Sequence, residues 1–335
     1  MRPEDPALPL PRIGRSTLVP ALICAGLSVI LIRAGFLTFF FLVPLGICAV
    51  VFGPGTAWLG FACAAVSNSV WSLGFLMRNG GLQNAGLNSL YFAVLALGFT
   101  WIMAGASGPP VRTLYRFMAA SAAGALALLV MTYSMGSDAG FSDLLRSRLE
   151  AVTSSYIASS GADAAQRAFL ERLLTPDKII DIFSMVILRG GALVSAVFLF
   201  FFSRQTVFVI ARLFRRAGKN VGNDLIGFYA PRKTIWILTM SLPVILFCRM
   251  VSLEMIEIAA WNLLVLCVIM FLAQGGGVIL YNLAYRPMPV IIRLLSGFLI
   301  IFLILSPGIN VAVLGLFVLL GITENWVPLR KKMEI

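Results

Sequence analysis

Residues 255–285, which read MIEIAAWNLLVLCVIMFLAQGGGVILYNLAY, decide the fold class of this chain. The stretch is apolar over almost its whole length, and Glu257 is the one charged side chain in it. Because a helix rises about 1.5 Å per residue, roughly 20 apolar residues are enough to cross the hydrocarbon core of a bilayer. The stretch therefore predicts a transmembrane helix that is longer than one crossing needs, and that either tilts or breaks at its triple glycine.

The rest of the chain has the same character. Of its 335 residues, 60% are hydrophobic and 12% are charged, and the mean hydropathy is +0.95, whereas soluble domains carry about 25% charged residues. This composition excludes a water-soluble fold. Ten hydrophobic segments can be marked, at 17–33, 36–53, 56–77, 87–105, 112–134, 179–203, 232–251, 255–285, 289–306 and 309–327. The sequence therefore predicts an all-α polytopic transmembrane helical bundle of about ten spans, which forms a single membrane domain over residues 1–335.

The basic residues indicate how the segments are oriented. The net charge is +12, but Lys and Arg cluster at the ends of hydrophobic segments, which is typical of membrane topology rather than of nucleic-acid binding. With the N-terminus inside, the basic clusters fall on the inner side, at 2–15, 112–116, 204–233, 286 and 330–332, and the outer turns keep Arg33, Arg78 and Arg249. Because Lys and Arg accumulate in short cytoplasmic loops, this asymmetry predicts ten crossings of a bacterial inner membrane with both termini in the cytoplasm.

Two segments are predicted to lie outside the bilayer. Residues 135–178 have nearly balanced charge and helix-like leucine spacing, so we expect an extracytoplasmic helical loop. Residues 203–231 form a cytoplasmic linker whose first part mixes arginines with apolar residues, as amphipathic helices on membrane surfaces do. We expect Arg212, Arg215 and Arg216 to contact anionic lipid headgroups. A basic face that binds a partner protein is the alternative interpretation.

The absence of histidine from the sequence removes whole classes of site. Histidine-ligated metals, histidine proton relays and Ser-His-Asp catalysis all need this residue. The five cysteines lie inside hydrophobic segments without paired spacing, so we interpret them as small buried residues rather than as disulfide or metal ligands. No group of catalytic residues can be named from the remaining sequence. We expect no enzyme activity, no metal and no cofactor.

Polar residues inside hydrophobic segments are the candidate ligand site. A charged side chain in the bilayer core costs roughly 2.5–3.5 kcal/mol, so Arg189, near the middle of segment 179–203, requires an explanation. At a similar expected depth, in the outer half of the membrane, the sequence places Asn68, Trp71, Glu257, Trp261 and Asn262. Arg189 either pairs with Glu257 or holds an anionic group of a ligand, with the amides as hydrogen-bonding groups. The alternative is a buried ion pair with amide contacts that only set the register of the helices.

A second group of polar and small residues lies in the inner half. Gln274 precedes Gly275, Gly276 and Gly277, which either pack closely against another helix or break their own. A broken helix exposes backbone groups that can bind a ligand, but close packing is the favoured interpretation. Further on, Glu324 and Arg330 are expected to form an ordinary pair at the inner surface.

The C-terminal third resembles a known family. The run FLAQGGGVILYN at 271–282 and the ending GITENWVPLR at 321–330 are similar to the YybS-like family of bacterial membrane proteins, in which a Gln-Gly apolar helix and a Gly…Asp-x5-Arg ending recur. Glu324 stands where that ending has aspartate. The resemblance covers residues 180–332.

That family is similar in turn to the substrate-binding S components of energy-coupling-factor vitamin transporters and to the rod-shape protein MreD. The resemblance implies an S-component-like core with additional helices, because S components have fewer spans than this chain. It also implies that Ala21 and Ala25, which form an Ala-x-x-x-Ala motif in the first segment, contact a helix of another integral membrane protein. Motifs of small residues at this spacing are common at helix contacts in membranes.

Two functional hypotheses follow. The first is a bacterial inner-membrane protein that binds or transports a small molecule through an outward-opening polar pocket, as an S component does. The second is a non-transporting assembly or scaffold protein of the cell envelope, similar to MreD, whose polar residues only pack helices. Whether Arg189, Asn68 and Asn262 line a cavity or are sealed between helices discriminates the two.

Overall fold

The computed structural model describes residues 15–79, 82–105, 110–136, 139–159, 161, 163–213, 225–285 and 288–330. Within these ranges every regular element is helical, so the all-α prediction is confirmed. The helices are α1 (Arg15–Leu31), α2 (Val43–Phe52), α3 (Pro54–Asn79), α4 (Leu82–Ala104), α5 (Pro110–Gly136), α6 (Ala139–Ser159), α7 (Ala164–Leu173), α8 (Pro176–Val186), α9 (Ala192–Leu213), α10 (Lys233–Val251), α11 (Glu254–Tyr285), α12 (Val290–Leu305) and α13 (Ile309–Thr323). A 3-10 helix at Gly35–Phe40 precedes α2, and a π-helical turn at Ile187–Gly191 joins α8 to α9.

The chain forms two compact units. The first contains Met1–Gly108, Arg112–Ala127 and Val197–Val221. The second contains Pro109–Val111, Leu128–Ala196 and Gly222–Ile335.

The described parts of two predicted loops contain helix, at 135–178 and at 203–231. The positions predicted for them, extracytoplasmic and cytoplasmic respectively, stay predictions.

An aromatic core holds the first unit together. Phe92, Phe99 and Phe200 are fully buried, and the rings of Phe99 and Phe200 stack with their centroids 6.2 Å apart. Gly46 of α2 faces this core, because a Cβ at this position would lie 2.9 Å from the Phe99 ring. The missing side chain therefore lets α2 approach its neighbours closely.

In the second unit, α11 packs on α10 and α13. The helix α11 runs without a break over 32 residues, so the triple glycine does not interrupt it. A Cβ on Gly275 would collide with the backbone carbonyl of Phe317 in α13, and a Cβ on Gly321 would collide with that of Phe271. These glycines bring two helix backbones into direct contact, as the favoured interpretation expected.

Five helices in the described residues are long and apolar enough to cross a membrane. They are Gly86–Ala104, Arg112–Ser134, Pro176–Leu213, Lys233–Val251 and Glu254–Tyr285. The pair α12 and α13, bent by 118°, would count as a sixth. The prediction of about ten spans is not confirmed. The shorter apolar helices Thr17–Leu31 and Leu37–Phe52 fall below the required length, and α3 is not among the five.

Candidate functional site

A break in the long helix at Pro176–Leu213 surrounds Arg189. The backbone leaves helical geometry at Arg189, with φ −89° and ψ 27°, and at Gly190, with φ +121°. Residues other than glycine rarely adopt a φ angle of this size and sign. A Cβ on Gly190 would also lie 2.7 Å from the Val265 side chain. Glycine is therefore required for the turn, and π-helical turns of this kind are frequent at functional sites.

Arg189 forms an ion pair with Glu257 of α11. Arg189 Nη2 lies 3.0 Å from Glu257 Oε1, and the side chains are 31% and 9% exposed respectively. Trp261 Nε1 donates to the same carboxylate oxygen at 3.4 Å. Of the two alternatives that the sequence leaves open for Arg189, the pair with Glu257 is present. Among the described residues Arg189 has no other partner, so the donors at Nε and Nη1 stay open to a ligand.

Asn262 of α11 forms a hydrogen bond with the backbone at the helix break. Its Nδ2 donates to the carbonyl oxygen of Leu188 at 2.7 Å, and also to that of Ile258 at 2.9 Å. The irregular turn frees the Leu188 carbonyl from ordinary helical pairing, and a freed backbone group in an apolar region must find another partner. The amide supplies it and so fixes the position of Arg189.

The structure divides the six candidate ligand residues between the two units. Arg189, Glu257, Trp261 and Asn262 belong to the second unit, and Asn68 and Trp71 belong to the first. In the first unit, Arg33 Nη2 donates to Asn68 Oδ1 at 3.0 Å, and the Arg33 guanidinium lies over the Trp71 ring, 5.4 Å from its centroid. The sequence predicts only that Arg33 lies in an outer turn. That prediction does not place it next to an amide and an indole.

A third cluster is centred on Gln274 and is fully buried. Gln274 Nε2 donates to Glu324 Oε2 at 3.1 Å, and Gln274 Oε1 accepts from the backbone N–H of Ala230 at 3.0 Å. Arg330 Nε donates to Glu324 Oε1 at 2.6 Å. The side chains of Glu324 and Arg330 are each 1% exposed. The expectation of an ordinary surface pair is therefore wrong.

Arg330 has all its hydrogen-bond donors satisfied by the chain. Besides Glu324, it donates to the backbone carbonyls of Leu225, Ile226 and Phe228. A Cβ on Gly277 would collide with the Leu225 carbonyl and approach Arg330 Nη1 to 2.9 Å, so this glycine makes room for the arginine. A guanidinium with five satisfied N–H groups has none left for a ligand. The cluster, which we call the Arg330 lock, therefore has a structural role. It joins residues 225–230, which precede α10, to the residues that follow α13.

The sequence contained a signal for this lock. Gln274, Glu324 and Arg330 lie in the two motifs that carry the family resemblance, but their separation along the chain concealed their contact. The sequence alone places Gln274 beside glycines that either pack closely or break the helix, and close packing is the favoured interpretation. The structure places Gln274 between Glu324 and the backbone of the segment that precedes α10.

Two further groups of candidate residues lie elsewhere. Ala21 and Ala25 are buried within the first unit, where α1 packs on α3. The two helices are close at this point, because a Cβ on Gly60 of α3 would lie 3.6 Å from the Ala21 carbonyl oxygen. The chain itself covers this motif, and its contact with a helix of another protein stays a prediction. Arg212 is exposed in the last turn of α9. Arg215 and Arg216 lie outside the described residues, and lipid contact by the three arginines stays a prediction.

A family model covers most of the chain. The model described as "Predicted membrane protein (DUF2232)" matches residues 36–317. No curated protein and no solved structure matches the chain. The matched range includes the helix break at Arg189 and its contacts on α11, and it ends before Glu324 and Arg330.

Proposed function

The chain belongs to this family of predicted membrane proteins, and we propose that it binds and transports a small anionic molecule across a bacterial inner membrane. The observation that carries the proposal is Arg189, held at a helix break with two of its three guanidinium nitrogens open among the described residues. An arginine inside an apolar helix is costly, and such residues commonly mark the path of a substrate or an ion.

Broken helices give membrane proteins a way to present polar groups within the bilayer. Transporters of several folds build their substrate sites from such interrupted helices near the middle of the membrane. Here the break, the amide of Asn262 and the ion pair with Glu257 fix the orientation of Arg189. A planar guanidinium with open donors suits a carboxylate or phosphate group, because it can form two parallel hydrogen bonds with either.

Glu257 has a defined part in this proposal. In the absence of a ligand it balances the charge of Arg189, so that the site does not leave a cation uncompensated. An anionic ligand competes with Glu257 for the guanidinium, and Trp261 offers a flat apolar wall beside them. The role is binding without chemistry, in keeping with the resemblance to S components, and no enzymatic step is proposed.

Three variants test the role of Arg189: Arg189→Leu, Glu257→Leu and the double substitution. Arg189→Leu leaves Glu257 buried and unpaired, which should cost about 3–5 kcal/mol in the free energy of unfolding, and the double substitution should largely restore stability. If the site binds an anion, the double variant folds and inserts normally but fails to complement a strain that lacks the protein. Thermal unfolding in detergent and growth complementation measure the two effects. A double variant that is both stable and fully active would exclude the proposed site.

The exposed pair of Arg146 and Asp177 provides a matched control. Its atoms Nη2 and Oδ1 lie 3.1 Å apart, but the side chains are 54% and 72% exposed. Exposed ion pairs contribute roughly 0–1 kcal/mol, so Arg146→Leu should leave both stability and complementation nearly unchanged. A large loss in this control would show that the assay reports charge removal in general.

A scaffold role of the MreD type is the second candidate. The sealed cluster of Gln274, Glu324 and Arg330 favours it, because these polar side chains only join parts of the second unit. If Arg189 and Glu257 likewise only join helices, the variant with both residues replaced by leucine keeps its activity. The complementation experiment therefore separates the two candidates.

A further inference from the structure

Asn68 of the first unit is a buried amide with an unused donor. The residue is 1% exposed. Its Oδ1 accepts from Arg33 Nη2 at 3.0 Å, which fixes the orientation of the amide. Its Nδ2 has no hydrogen-bond partner among the described residues. Because buried amide donors nearly always have an acceptor, an acceptor from outside the chain is the simplest way to complete this one.

Two more donors lie beside Asn68. Ser72, one turn along α3, accepts from Arg33 Nη2 at 3.3 Å and is buried, and its hydroxyl proton has no acceptor among the described residues. Arg33 is exposed and pairs with no carboxylate in the described part of the chain. The cluster thus combines a cation with neutral donors and contains no acid. That combination recognises an oxyanion and would repel a metal ion.

We propose that Arg33, Asn68 and Ser72 bind a phosphate-type oxyanion. The Arg33 side chain is exposed, and only its Nη2 contacts Asn68 and Ser72, so its other N–H groups can hold the oxyanion while the Asn68 amide stays in place. Trp71, whose ring lies beside the Arg33 guanidinium, is 58% exposed. Arg33 is predicted in an outer turn, and arginine and tryptophan side chains are typical of the headgroup level of a membrane. The oxyanion therefore comes either from a phospholipid headgroup or from a soluble phosphate. This proposal does not rest on the role of Arg189.

The test uses the full-length protein purified in detergent and stripped of lipid. One arm titrates inorganic phosphate by calorimetry, and the other adds dioleoyl phosphatidylglycerol and counts bound lipid by native mass spectrometry. The site predicts saturable binding in at least one arm. Phosphate binding identifies a soluble source, and lipid binding without phosphate binding identifies the headgroup.

Two substitutions locate the binding. Arg33→Gln removes the cation and should weaken binding at least tenfold. Asn68→Asp is nearly isosteric and still accepts from Arg33, so it should fold as the wild type does, but it replaces the unused donor with a negative charge and should abolish binding. Arg249→Gln, which changes another exposed arginine predicted on an outer turn, is the control and should bind as the wild type does.

Three results would overturn the proposal. The first is a wild-type protein that binds neither phosphate nor phosphatidylglycerol. The second is an Asn68→Asp variant, with the melting temperature of the wild type, that binds as tightly as the wild type. The third is an equal loss in Arg249→Gln, which would mean that the interaction reflects overall charge.

Discussion

Two buried or partly buried arginines of the second unit differ in what surrounds them. Arg330 is sealed, and Glu324 and three backbone carbonyls accept all of its N–H groups. Arg189 keeps 31% of its side chain exposed, and one nitrogen of its guanidinium has a partner in the described residues. Because a buried guanidinium is tolerated only when its donors are satisfied, Arg330 has a structural role, whereas the exposed part of Arg189 leaves room for the proposed ligand.

Replacing Arg330 should therefore destabilise the protein strongly. Arg330→Met keeps a long side chain but leaves the Glu324 carboxylate and several backbone carbonyls buried without partners, so we expect a loss of about 3–5 kcal/mol in the free energy of unfolding. Arg293→Met is the matched control, because Arg293 is exposed on α12 of the same unit and should change stability by less than about 0.5 kcal/mol. Melting curves in detergent measure the stability of the two variants. Similar melting temperatures for both would contradict the structural role of Arg330.

Helix packing in the second unit depends on glycines that face one another. Gly275 on α11 and Gly321 on α13 leave so little space that any Cβ would strike a backbone carbonyl of the opposite helix. Gly276 has no atom within 4 Å of where its Cβ would be. Neighbouring positions on α11 therefore differ in whether they have room for a side chain.

Alanine substitutions at these glycines should have opposite effects. Gly275→Ala and Gly321→Ala force the two backbones apart and should each destabilise the protein by about 1–3 kcal/mol. Gly276→Ala adds a methyl group in open space and should be neutral or stabilise by up to about 1 kcal/mol, because alanine favours a helix more than glycine does. Thermal unfolding of the three variants provides the comparison. Equal effects at 275 and 276 would be inconsistent with the close contact.

Some of these elements could be predicted from the sequence and others could not. Apolar length predicts α11 directly, and estimated depth predicts the pairing of Arg189 with Glu257. The π-helical turn is different, because it depends on the φ angle of Gly190, which hydrophobic periodicity does not report. The contact of Arg33 with Asn68 follows from the direction of the chain after α1, and a count of apolar residues does not determine that direction.

Across the whole molecule, the structure differs most from the sequence prediction in the number of spans. Length alone predicts a crossing at 36–53, but this segment contains a 3-10 helix that leaves only ten residues for α2. The helix at Pro176–Leu213 is long and apolar enough to cross a membrane as one span despite its break. It lies between the segment predicted outside, 135–178, and the basic linker predicted inside. One crossing here is therefore expected from the sequence, and the length and apolar character of the helix allow it.

Cysteine labelling tests this crossing. Ser154 on α6 and Lys233 at the start of α10 are both exposed and flank the span Pro176–Leu213. Because the basic residues at 204–233 favour the cytoplasm, we expect a membrane-impermeant maleimide to label Ser154→Cys in intact cells and Lys233→Cys only after the cells are opened. The wild type is the control for its five native cysteines, of which four are buried. Labelling of both variants from the same side would mean that Pro176–Leu213 enters and leaves the membrane on one face, and that its break at Arg189 forms a re-entrant turn rather than the middle of a span.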